Sequence, residues 1–200
     1  MLRCPFCNSE QHHNLYPVVD LVEYPSLKLG LLTDSLFSVR CTKCNNQFAV
    51  SHEMLVLDKD ASFAVLLAPD STLTEIPEPS IEVQKLETLR LVNSSDQLKE
   101  KLLLLDAGLD DKTIELCKMY LIMKMERPGY TLLYADQQVA QGQLLFTLFN
   151  EKGEMEETIQ CSDGLYTQLL KTAEAFTLKP GFLLRIDQSW ALKEIKNSAG

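Results

Sequence analysis

The sequence predicts an α+β protein: an N-terminal antiparallel β unit, a two-helix middle segment and a small C-terminal α+β unit. Three observations predict it. Two Cys-x-x-Cys pairs, Cys4-Pro5-Phe6-Cys7 and Cys41-Thr42-Lys43-Cys44, are flanked by short β-prone runs in residues 1–68. Residues 94–128 carry apolar side chains at helical spacing between cap and stop signals. Residues 130–200 mix strand-like runs, turn signals and amphipathic stretches.

The cysteines are the most specific signal. Two cysteines three apart on a tight turn can aim both sulfurs at one point, and a second such turn completes a tetrahedron. The pattern points to Zn2+ held by Cys4, Cys7, Cys41 and Cys44, a zinc-ribbon-like site. Because every ligand position is a thiolate, no place remains for water, and the expected role is structural rather than catalytic. A disulfide reading needs an oxidising compartment, whereas the chain opens on Met1-Leu2-Arg3-Cys4 with no apolar signal segment. A thioredoxin-type pair would sit at a helix start and need no second pair. Here Phe48, Val50, Leu55, Val56 and Leu57 follow Cys44 and read as strand. Redox, disulfide and iron stay open as rivals to zinc. Cys117 and Cys161 lie in apolar contexts and read as small core residues.

Composition sets bounds on partners. The 200 residues are 46% hydrophobic, enough for one sizeable core or two small ones. No run approaches the ~20 apolar residues that span a bilayer, and unpaired cysteines suit reducing surroundings, most simply the cytoplasm. The net charge of -9 disfavours duplex nucleic acid, whose binding rests on Lys and Arg. In residues 1–50, Arg3, Lys28, Arg40 and Lys43 balance Glu10, Asp20, Glu23 and Asp34, so the acidic excess lies further along.

In order, the first knuckle leads through His12-His13 to a strand ending near Val22. Residues 26–34 suggest a short helix interrupted at Gly30. Residues 36–40 and 47–50 form a hairpin with the second knuckle at its tip, and residues 54–57 and 62–67 a second hairpin. Residues 69–80, with Pro69, Pro77 and Pro79, read as a connector. Residues 81–92 read as a strand. Ser94 and Gln97 offer a capping box for a helix that Gly108 ends. Asp110 or Asp111 caps the next helix, with Ile114, Cys117 and Leu121 on one stripe and Leu116, Tyr120 and Met123 on another; Pro128-Gly129 stops it. Beyond lie strands at 130–135, 143–149 and 154–161, with turns at Asp136-Gln137-Gln138 and Asn150-Glu151-Lys152-Gly153. A helix follows from Ser162 or Asp163, then a strand over 182–186 and a final helix capped by Asp187. The expected division is 1–68, connector 69–80, 81–128 continuing the first domain, and 129–200.

The order Cys-Pro-x-Cys, aliphatic strand, loop, then Leu36-Phe37-Ser38-Val39-Arg40-Cys41-Thr42-Lys43-Cys44 and a strand bearing Phe48 resembles the CpXC family of bacterial and archaeal proteins. The likeness is clearest over residues 1 to about 68 and extends through the helices near residue 125. The second pair carries Thr42 where the first has Pro5, which leaves the ligands untouched. Membership implies a zinc-ribbon-like site and no particular activity.

Catalytic motifs are sparse. There is no phosphate-cradling glycine loop, nucleophile elbow or His-Glu-x-x-His helix. His12, His13 and His52 lack identifiable carboxylate partners, and Asp110-Asp111 is explained by capping. The sequence favours a noncatalytic structural-zinc protein acting as a protein-interaction or assembly module, with an unidentified protein partner and no membrane. The alternatives are a nucleic-acid or transcription-associated ribbon, which a basic patch of Arg3, Arg40 and Lys43 would support, and a thiol redox enzyme. Residues 8–40, longer than a compact ribbon requires, are either decoration or the seat of the function.

Overall fold

The computed structural model describes residues 1–69, 71–77 and 79–198, so positions 70 and 78 of the expected connector lie outside the described residues. The chain is α+β. Its elements run β1 (Leu2–Arg3), β2 (Glu10–Gln11), β3 (Val18–Asp20), α1 (Leu27–Leu32), β4 (Ser38–Arg40), β5 (Gln47–Ala49), β6 (Met54–Asp58), β7 (Phe63–Leu67), β8 (Glu75–Ile76), α2 (Ile81–Gln84), β9 (Thr88–Val92) and α3 (Ser95–Ala107). There follow α4 (Asp111–Lys124), β10 (Thr131–Gln138), β11 (Gln143–Phe149), β12 (Met155–Ser162), α5 (Asp163–Glu174), β13 (Leu183–Leu184) and α6 (Gln188–Ser198). Two compact units result, Met1–Lys99 with Gly181–Leu184 and Glu100–Pro180 with Arg185–Gly200. Among the described residues no helix is long and apolar enough to cross a membrane.

The first unit holds two small antiparallel hairpins, β1–β2 and β4–β5, and a six-stranded mixed sheet in the order β3-β6-β7-β9-β13-β8. The β6–β7 hairpin is antiparallel, while β3 runs parallel to β6 and β9 parallel to β7. Met54, Val56 and Leu57 in β6 and Phe63, Ala64, Val65 and Leu67 in β7 are all buried, from both faces of their strands. That is why both strands read as continuous apolar runs rather than alternating ones. Leu57, Ala64, Leu89, Leu91, Val83 and Leu183 form one core cluster.

Several local expectations are corrected. Residues 81–84 are helical, and the strand begins only at Thr88. The helix at Leu27–Leu32 runs through Gly30 without a break. Glycine is needed there for space, since a Cβ would sit 2.9 Å from Leu36 Cγ. Ser35–Phe37 is a 3-10 turn, which leaves only Ser38–Arg40 as strand. Residues 136–138 continue β10 past a bulge at Tyr134/Asp136, and the reversal waits for Gly142, at φ 61°. Only Leu183–Leu184 of the run 182–186 is strand. Of the stripe Leu116, Tyr120 and Met123, Leu116 is buried while Tyr120 and Met123 are exposed, at 46% and 63%.

In the second unit β10, β11 and β12 form an antiparallel sheet, and Leu132, Tyr134, Leu144, Phe146, Leu148 and Cys161 cluster with Ile114, Cys117 and Leu121 of α4. Asp110 caps α4, its carboxylate accepting from the Thr113 amide at 2.9 Å and the Thr113 hydroxyl at 2.6 Å. Asp110→Ala is expected to cost about 1 kcal/mol, read as a lower unfolding midpoint in urea. Asp111 is not a cap. Its carboxylate meets Lys101 at 2.9 Å; Lys101 also approaches Glu115 at 3.6 Å, and Lys118 joins Glu115 at 2.8 Å to Glu100 at 2.7 Å. All five are buried. Charges alternate along this chain, three carboxylates to two ammoniums. Two backbone groups complete it: the Tyr134 amide donates to Glu100, and the Ile186 carbonyl accepts from Lys101 at 2.7 Å.

Candidate metal centre

The first knuckle is the turn between β1 and β2, the second the turn between β4 and β5, and both are built alike. In each, the first cysteine's amide donates to the carbonyl five residues on: Cys4 to Ser9 at 2.9 Å, Cys41 to Asn46 at 2.8 Å. The residue after the second cysteine donates back to the first, Asn8 to the Cys4 carbonyl at 2.9 Å and Asn45 to that of Cys41 at 3.0 Å. Closing the turn this way puts Asn8 and Asn45 at φ 58° and 64°, a left-handed conformation that asparagine tolerates better than most residues. The asparagine after each pair is therefore part of the motif.

The four sulfurs of Cys4, Cys7, Cys41 and Cys44 lie within 4.8 Å of one another. Cys4 meets Cys44 at 3.7 Å and Cys7 meets Cys41 at 3.6 Å, so each close contact joins the two knuckles. Cys4 and Cys41 are buried, Cys7 and Cys44 partly so, and no disulfide links them. This arrangement could hold a metal ion.

Two polar side chains tie the knuckles together. The Ser9 hydroxyl is 3.1 Å from Cys7 Sγ and 3.4 Å from Cys41 Sγ. Gln11 donates through Nε2 to the Arg40 carbonyl at 3.3 Å and accepts through Oε1 from the Thr42 amide at 3.0 Å. Neither was foreseen from spacing. The available signal was the parallel between Cys-x-x-Cys-Asn-Ser and Cys-x-x-Cys-Asn-Asn, which marks Ser9 and Asn46 as equivalent positions with different side chains.

Electrostatics within the cluster are uneven. The Ser9 hydroxyl first, then the Cys44 amide, pulls the Cys41 thiol down to about 5, and the same hydroxyl lowers Cys7. At Cys44 the Asn46 amide pulls down, but burial and the Cys41, Cys7 and Cys4 thiols outweigh it and push the group up to about 11. Four clustered sulfurs repel one another's charge and cannot all ionise unaided. A divalent cation removes that conflict, so the donor set fits a metal.

The histidines stand apart from this cluster. His12 and His13 are exposed, and His52 bonds the Tyr16 carbonyl at 3.3 Å through Nε2 with its ring 6.4 Å from Phe37. Arg3, Arg40 and Lys43 are each exposed on or beside the knuckle hairpins.

Two cysteine knuckles on hairpins, joined in one unit to a mixed sheet, define a four-cysteine α+β protein. The chain belongs to the CpXC family, whose model, described as CpXC protein, matches residues 2–118. That span takes in the knuckles, the strands to β9 and most of α4. No curated protein and no solved structure matches the chain.

Proposed function

We propose that the chain is a noncatalytic structural-metal protein: Zn2+ held by Cys4, Cys7, Cys41 and Cys44 locks two hairpins, and the protein serves as an interaction or assembly module. The spacing of the sulfurs carries the metal part. A tetrahedron with Zn–S bonds of about 2.3 Å has edges of about 3.8 Å, and the two cross-knuckle contacts are 3.7 and 3.6 Å. Four thiolates fill four positions, so the ion would have no open site for a substrate. It would supply a fixed crosslink between β-hairpins.

The interaction part is supported by where apolar surface lies. Phe6, Leu15, Tyr16, Val18, Val22, Tyr24 and Leu29 are exposed within or just ahead of the insert between the knuckles, Phe6 at 61%, Tyr24 at 57% and Leu29 at 66%. Exposed aromatic and aliphatic side chains gathered in one segment suit contact with another protein. The nucleic-acid reading rests on Arg3, Arg40 and Lys43 alone, against a chain of net charge -9. The thiol-redox reading is weakened by the burial of Cys117 and Cys161, at 0% and 5% exposure.

Metal content and thiol reactivity test this. Protein purified without added metal is expected to carry one zinc ion per chain, with four thiols reacting after chelation and Cys117 and Cys161 only after denaturation. A metal-free chain with a reversible disulfide would overturn the reading and favour redox chemistry. For the partner, Tyr24→Glu with Leu29→Glu is expected to leave zinc content unchanged and abolish protein capture; undiminished capture would remove the insert from the interface.

A further inference from the structure

We propose that Ser9 is a positioning residue of the metal centre, its hydroxyl bridging a thiolate of each knuckle and holding the bound ion against exchange. The inference rests on the zinc reading above. Ser9 is well held. Its carbonyl accepts from the Cys4 amide at 2.9 Å and it directly precedes β2, so its side chain is fixed by the turn that presents Cys4 and Cys7. From there the hydroxyl reaches Cys7 Sγ of its own knuckle at 3.1 Å and Cys41 Sγ of the other at 3.4 Å. Asn46, at the equivalent place in the second knuckle, is exposed. At this position the two turns therefore differ: a serine facing the sulfurs in the first knuckle stands where the second has an exposed asparagine.

The chemistry follows from charge. Four thiolates on a divalent ion leave two negative charges on the cluster. Donors that point at sulfur spread that charge, and groups behind metal ligands tune affinity and exchange. One hydroxyl has one hydrogen. It donates mainly to the nearer sulfur, Cys7, and can swing to Cys41, which couples the two halves of the site through a single rotor. Dissociation of the ion requires the knuckles to separate, and the hydroxyl opposes that separation.

The test uses the full-length chain as wild type, Ser9→Ala and Ser9→Thr, each loaded with zinc and separately with cobalt. Zinc transfer to a chromophoric chelator is expected to be about tenfold or more faster for Ser9→Ala. The thiolate-to-cobalt charge-transfer band should move to lower energy, since a sulfur without its donor gives up an electron more readily. Ser9→Thr keeps the hydroxyl and should restore both readouts. A Ser9→Ala protein with the wild-type band and transfer rate overturns the proposal while leaving the zinc reading intact. Equal impairment of the alanine and threonine variants also overturns it, because shape rather than the hydroxyl would then matter. A wild-type chain that takes up neither ion overturns both.

Discussion

Replacing Cys41 by serine is expected to release the metal and melt the two knuckle hairpins while leaving the six-stranded sheet folded. The weight of a structural zinc in so small a unit would by itself imply that residues 1–68 unfold as a whole. The sheet pairings narrow that. Hairpin β1–β2 has two paired positions and β4–β5 three, and small two-stranded hairpins are marginal in water. A structural zinc site contributes on the order of 10 kcal/mol of apparent binding free energy, which far exceeds what those few pairs hold by themselves. By contrast, β7 pairs over five positions with β6 and over five with β9, around the cluster of Leu57, Ala64, Leu89 and Leu91. Serine offers a neutral hydroxyl where the ion needs an anionic sulfur. Hydrogen exchange should therefore lose protection at residues 2–11 and 38–49 and keep it at 54–67 and 88–92. Undiminished protection in the hairpins would show that the metal does not hold them, and loss across the sheet would show that the unit depends on it as a whole.

The knuckles could be read from the chain because their chemistry is local: two sulfurs three residues apart need only one turn to converge. The hairpins β6–β7 and β11–β12 were legible for the same reason, since turn residues such as Asn150 and Gly153 sit between the runs they join. Pairings between distant segments were not. The parallel pairing of β3 with β6, and of β9 with both β7 and the two-residue β13, leaves no mark in either partner's composition. Gly30 shows how one residue type serves two ends, being read as a helix break when it makes room for Leu36. Ser9 and Gln11 carry no spacing signal, because polar residues near cysteines are common and only the fold turns these two toward the other knuckle. The buried charges of α3 and α4 have a subtler cause. A charged residue on a helix normally marks its solvated face, yet α4 is apolar around most of its circumference, and the charges at 111, 115 and 118 had to be buried with the rest.

Substitution of Lys118 by methionine is expected to destabilise the second unit by about 3–5 kcal/mol, because it strands the carboxylates of Glu100 and Glu115 in the interior. Lys118 is 2% exposed and lies 2.7 Å from Glu100 and 2.8 Å from Glu115. Burial alone would lower its pKa, but these two carboxylates outweigh burial and hold it above the ordinary lysine range. Glu115 is the acid held least completely: both ammoniums reach its Oε1, Lys118 at 2.8 Å and Lys101 at 3.6 Å, while its buried Oε2 has no hydrogen-bond partner. Burial first, opposed by Lys118 and Lys101, raises its pKa from 4.5 to about 7. A raised folded-state value means that this contribution to stability is full below pH 4.5 and is lost as pH rises through 7. The size of the shift corresponds to roughly 3 kcal/mol. The second unit should thus be more stable toward urea at pH 5 than at pH 8, and Lys118→Met should cost more at the higher pH, where Glu115 is ionised. The chain's single tryptophan, Trp190, packs edge-on against Phe176 in this unit and reports its unfolding by fluorescence. Glu115→Gln should flatten the pH dependence and shrink the cost of Lys118→Met, since a neutral amide needs no cation. A pH slope unchanged in Glu115→Gln would mean that the proton resides on another group.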